Sequence, residues 1–112
     1  MPRREVTPPA LPDAPFETLC AEDQARAIGW NLRLARKRAG LTLPALARHM
    51  RATVPEEALS LSYLGDVERG DRSPALKTVL SLARALNLDP RSLFCVPGGT
   101  TLPEDLDEAD AA

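Results

Sequence analysis

The spacing of apolar residues most limits what this chain can become. Between Ala21 and Val96 they recur every third or fourth position, and no segment sustains the two-residue alternation of β-branched side chains that a half-buried strand requires. From about Ala21 to Ala39 the stripe passes through Ala25, Ile28, Leu32, Ala35 and Ala39 and stops at Gly40, a residue suited to the left-handed turn after a helix. Thr42 then stands as a cap, Pro44 falls in a first turn where a missing N–H costs little, and Leu46, Ala47 and Met50 give a second helix its buried face. The stretch LSLSYLGDVERG, residues 59–70, supplies Ser60 as cap, Leu64 and Val67 inward with Tyr63 beside them, and Gly70 as stop. Ser73 and Pro74 repeat the cap-and-proline signature ahead of Leu76, Val79, Leu80, Leu82, Ala83 and Leu86, the most apolar helix, which Asn87 ends. Asp89 and Pro90 open a last short helix through Leu93 and Phe94. The expectation is an all-α, compact five-helix domain with short connections.

A chain of 112 residues holds one such domain, with a core of about 60 to 70 residues near the lower limit for folding without covalent staples. Residues 1–15 contain five prolines, so 1–20 is expected to be a Pro-rich disordered arm, 21–96 the folded domain and 97–112 an acidic disordered tail. Two cysteines, Cys20 and Cys95, make no disulfide framework; a reduced pair is expected, with Cys95 as a small buried side chain. No apolar run reaches the roughly 18 residues a membrane span needs, and no hydrophobic signal core follows Met1, so a cytoplasmic protein is expected. The total charge of -2 is unevenly distributed: residues 1–25 carry -3, residues 26–91 carry +6 and residues 92–112 carry -5. A basic middle between acidic ends suits binding to a polyanion, because phosphate attraction acts through local surface charge and not through the sum.

The strings IGWNLRLARKRAGLT, LARHM and LSLSYLGDVERGDRSPALKTVLSLARALNLDPRSLF, within about residues 26–95, resemble the helix-turn-helix domains of the phage Cro and cI repressors and related bacterial regulators of the xenobiotic-response-element type. That resemblance implies a lambda-repressor-like fold whose third helix enters the major groove of double-stranded DNA. It places Leu61, Ser62, Gly65 and Asp66 on the base-reading face. Thr42 and Leu43, at the start of helix 2, would lie near a phosphate, as would Ser60, Arg69, Arg72, Ser73 and Lys77. Relatives often have Gln at the position of Leu43, and the departure removes a side chain that usually hydrogen-bonds DNA. The resemblance further implies a part-buried ion pair between Arg36 and Glu68 that orients helix 3. A sequence-specific transcriptional regulator follows, expected to be a repressor acting as a homodimer, with Leu93, Phe94 and Val96 as apolar residues for a second subunit to cover.

Two features pull away from that pattern. The outward positions of helix 3 hold no Arg, Gln or Asn, and an apolar, acidic face also suits a protein partner; an interaction module or antitoxin-like protein on the same fold is the alternative. Secondly, RATVPEEA, residues 51–58, stands where a single Gly is expected between helices 2 and 3. It is either a loop, with helix 3 starting at Ser60, or a Thr53–Glu56 capping box that starts helix 3 a turn and a half earlier. The paired acids Glu56 and Glu57 read as helix N-terminal residues. His49 is the only histidine, far from either cysteine, and is expected to face solvent or phosphate. No catalytic residue, cofactor or metal is expected, since no nucleophile–base set and no Gly-rich phosphate loop is present.

Overall fold

A computed structural model describes residues 5–97 and 102–103. Four α-helices follow one another: α1 (Ala21–Arg38), α2 (Leu43–Thr53), α3 (Leu61–Glu68) and α4 (Leu76–Ala85). Short 3-10 helices cover Phe16–Thr18, Pro55–Glu57 and Pro90–Leu93. A two-residue antiparallel pair, β1 (Glu5–Val6) with β2 (Leu102–Pro103), joins the two flanks of the helical body.

Local chemistry sets most of the helix ends. The Thr42 hydroxyl accepts from the Ala45 amide at 3.3 Å, and the Ser60 hydroxyl from the Tyr63 amide at 3.0 Å, so α2 and α3 each begin on a side-chain cap. Three helices end alike: Leu41, Asp71 and Leu88 donate their amides to the carbonyls of Arg36, Asp66 and Ala83, around positive-φ residues Gly40, Gly70 and Asn87. Helix α1 also has Glu22 and Asp23 in its first turn and Arg36, Lys37 and Arg38 in its last, matching the sign of the helix dipole at each end.

One core joins all four helices and the last 3-10 turn, through Ile28, Leu32, Leu46, Met50, Val54, Leu64, Val67, Val79, Leu82 and Leu93. Asn31 is buried in it and donates to the carbonyls of Leu93 (3.2 Å) and Cys95 (2.8 Å), which holds the C-terminal turn against α1. Trp30 is buried too, on the flank of the main stripe.

Several expectations are corrected. The fifth helix is a 3-10 turn of four residues, too short to establish an α-helical ladder before Phe94 leaves helical geometry. Leu93, expected at a subunit interface, is 1% exposed and belongs to the core. Phe94 packs edge-on against Phe16 with ring centroids 5.8 Å apart. With Leu19 buried as well and Gln24 donating to the Phe16 carbonyl, the packed unit begins before Ala21, inside the arm expected to be disordered. Residues 1–4, 98–101 and 104–112 of the expected arm and tail lie outside the described residues.

Ser73 caps nothing; α4 starts after Ala75, with no side-chain cap, and Pro74 is buried in the corner between helices. Cys95 is exposed, because its segment follows the last core residue. His49 faces α4, its Nε2 donating to the Ala85 carbonyl at 2.6 Å.

The insertion takes the first of its two geometries, with α3 starting after Ser60. Its first residues, Arg51–Thr53, prolong α2, and Val54 drops fully into the core. Thr53 Oγ1 donates to the His49 carbonyl, so it forms no capping box. Glu56 and Glu57 lie in the 3-10 turn and pair with α4, Glu56 with Arg84 at 2.8 Å and Glu57 with Lys77 at 3.3 Å.

Candidate nucleic-acid interface

Helix α3 is held from behind by α1, at a contact that depends on a missing side chain. A Cβ on Gly29 would stand 2.2 Å from the Val67 carbonyl oxygen and 2.9 Å from that of Glu68, so the two backbones meet where only glycine fits. Across the same junction Arg36 Nε donates to Glu68 Oε2 at 2.7 Å and Nη2 to Oε1 at 2.9 Å. This fork is fully buried on the arginine side, where part-burial was expected. Arg36 Nη1 also donates to the Leu41 carbonyl at 3.0 Å, and Arg33 Nε lies 3.7 Å from Glu68 Oε1. The carboxylate thereby ties the end of α3 to α1 and to the turn before α2. Gly70 closes the helix at φ 78°, where a Cβ would also stand 2.9 Å from Arg26 Cγ.

The outward side is built differently. Leu61 is 44% exposed and Ser62 is exposed beside it, on the first turn of α3. Gly65, expected to face DNA, is buried: its outer surface is covered by the Arg69 guanidinium and by Leu43, which packs from α2. Leu43 is therefore a packing residue between α2 and α3, as its apolar chemistry allows. Asp66 is half-buried and engaged by arginine, Oδ1 accepting from Arg69 Nη2 at 2.5 Å and Oδ2 lying 3.7 Å from Arg72 Nη2.

The residues expected near phosphates divide the same way. Thr42 and Ser60 use their hydroxyls as caps. Arg69 and Arg72 are more than half exposed, and Arg72 lies over the Tyr63 ring at 5.1 Å, a cation–π contact that fixes its direction. Ser73 is exposed at the corner. Lys77 is 80% exposed and extends toward Glu57. The structure therefore brings Tyr63, Asp66, Arg69, Asp71 and Arg72 into one network along and just after the C-terminal part of α3, with Leu61 and Ser62 exposed at its start.

Sequence reasoning missed Gly29, Asn31 and the pairing of Glu56 and Glu57 with α4. A Gly in the middle of a strong helix, and an Asn among its inward residues, were the available signals. Hydrogen bonding by its own backbone amide, then the Arg84 guanidinium, holds the Glu56 carboxyl below the usual carboxylate range. Among the described residues no cluster of His, Cys, Asp and Glu could hold a metal ion, and no helix is long and apolar enough to cross a membrane.

A capped α2, a turn, and an α3 seated on α1 with its first turn exposed agree with a family comparison in which a helix-turn-helix domain model matches residues 27–93. The chain belongs to the helix-turn-helix family. Among solved structures it is similar to the restriction-modification controller protein C.AhdI from Aeromonas hydrophila, with 40% sequence identity over 61% of this chain and 92% of that chain, at a TM-score of 0.52. No curated protein matches it.

Proposed function

We propose that this DNA-binding transcriptional regulator places α3 in the major groove, with the N-terminus of α2 against the adjoining phosphates, and acts as a repressor by occupying its operator. The observation that carries the proposal is the exposed first turn of α3, Leu61 and Ser62, beside the capped start of α2 on a body whose residues 26–91 carry a net charge of +6. A Leu side chain in the groove suits a thymine methyl, and a serine hydroxyl serves either as donor or as acceptor. Similarity to a restriction-modification controller extends the proposal to its target: the regulated genes are those of a restriction-modification system. Selection from random duplexes, followed by titration at two salt concentrations, tests the function; binding that ignores salt, or enrichment of no sequence, would overturn it.

Two-fold operators call for two copies of such a domain. With Leu93 in the core and Phe94 on Phe16, Val96 remains half-buried at the edge of a groove of about 640 Å³ lined also by Trp30, Leu34, Leu86 and Leu88. We place the second subunit across this groove. Sedimentation of the wild type and of Val96→Asp checks it: a dimer is expected for the first and a monomer for the second.

The second reading, a protein partner, draws on Leu76 and Leu80, which are 63% and 44% exposed on one face of α4. A protein that binds no duplex in the selection yet has a defined partner would favour it.

A further inference from the structure

We propose that Arg69 is a specificity-determining residue and that it reads guanine. The proposal rests on the DNA-binding function above and names the donor that the first turn of α3 lacks. Leu61 and Ser62 offer no forked donor, position 65 has no side chain, and both carboxylate oxygens of Asp66 face arginines. The missing group comes from the far end of the helix.

Arg69 is the C-terminal cap of α3, and its side chain folds back along the outer face. Nη2 donates to Asp66 Oδ1, and Nε donates to Asp71 Oδ2 at 3.2 Å. Nη1 lies over Gly65, 3.1 Å from the point where a Cβ would stand, with Leu43 Cδ2 3.7 Å from that same point. The guanidinium thus occupies the place of a side chain at position 65, one of the positions that the family resemblance assigns to base reading. A glycine there makes room for it.

The way the group is held favours a base over a phosphate. Two carboxylates offset its charge, which weakens attraction to a polyanion, but they also fix the plane of the fork from two sides. Nη1 takes part in neither contact, and Nη2 carries a second hydrogen beyond the one given to Asp66. Those hydrogens form the end of the fork, whose spacing matches O6 and N7 of guanine in the major groove. Arg72, stacked on Tyr63 and only 3.7 Å from Asp66, keeps more of its charge for the backbone. Asp66 and Asp71 are positioning residues, acting through Arg69 and not on DNA.

The test is selection from random duplexes with the wild type, Arg69→Ala, Arg69→Lys and Asp66→Ala, each selected site then titrated at two salt concentrations. Arg69 is more than half exposed, so the variants are expected to keep the core, and thermal melts of each check this. The wild-type site is expected to contain one guanine per half-site whose preference disappears in Arg69→Ala and equally in Arg69→Lys, with roughly tenfold or greater loss of affinity for the selected site and an unchanged salt slope. Asp66→Ala should soften preference at the same base pair and leave the others unchanged. A lysine variant that retains the wild-type site, or an alanine variant that weakens all duplexes alike and lowers the salt slope by about one, makes Arg69 a phosphate contact and overturns the proposal. If the wild type itself enriches no sequence, the DNA-binding function falls and this proposal with it; if it enriches a site that Arg69→Ala shares, only the proposal falls.

Discussion

The two sides of α3 are stabilised by opposite means. The inner side meets α1 through a buried fork between Arg36 and Glu68 and a backbone contact at Gly29, where nothing can move without breaking a hydrogen bond or meeting a carbonyl. The outer side holds its charges in a network of half-buried Asp66 with exposed Arg69, Asp71 and Arg72, whose pairs are screened by water. Burial makes the first a determinant of orientation, and exposure leaves the second for the recognition role we propose. The same residue types, Arg with Asp or Glu, serve both.

Substitutions on the two sides should separate stability from recognition. Glu68→Ala leaves the Arg36 guanidinium buried without its carboxylate and should cost about 3–5 kcal/mol in a denaturant melt. Unchanged stability would remove the inner side of the comparison. Gly29→Ala sets a methyl group against two carbonyl oxygens; about 1–3 kcal/mol or more is expected, and a loss of DNA affinity beyond the unfolded fraction would show that α3 has tilted. Ser60→Ala removes the cap from the Tyr63 amide, where the inner and outer sides share one helix start, and should cost about 1 kcal/mol.

Leu61→Ala, on the exposed first turn, should change stability by less than about 0.5 kcal/mol while altering which duplexes are selected. A drop in stability without a change in preference would make Leu61 a packing residue. The smallest effect concerns acid. Hydrogen bonds from the Arg91 side chain and amide hold the Asp89 carboxyl below the usual carboxylate range, as the backbone amide and Arg84 do for Glu56. Since the folded-state values are lowered, their contribution is present above the unfolded value and fades as pH falls through the folded one, below the usual range. Amide shifts of residues 89–92 and 56–57 should move there while the core signals stay fixed.

Helix starts and stops were legible because each depends on neighbours in the chain. Thr42, Gly40, Gly70 and Asn87 act within a few residues of themselves and stand where the sequence places them, and Ser60 caps α3 as in the first of the two geometries open for the insertion. The same logic failed at Ser73, where a buried Pro74 shifts the helix start to Leu76. It also failed at Pro90, where capping signals were present but the length for an α-helix was not. The candidate site was less legible than the fold: helical spacing places Gly65 and Asp66 on the outer side, but says nothing of an arginine lying back over them. Leu93 reads in the sequence as an apolar residue for a second subunit to cover, but its partners are α1 and α4 of its own chain, more than sixty and about ten residues away.

The sequence by itself determined the all-α class, most of the ends of the four α-helices, and the charge separation between a basic body and acidic flanks, because caps, left-handed stops and apolar period act over one or two turns. Only the tertiary structure decided that the insertion packs on α4, that Leu93 belongs to the core, and that Arg69 covers the glycine of α3. Those outcomes depend on side chains meeting across helices, and a spacing rule carries no information about what lies opposite.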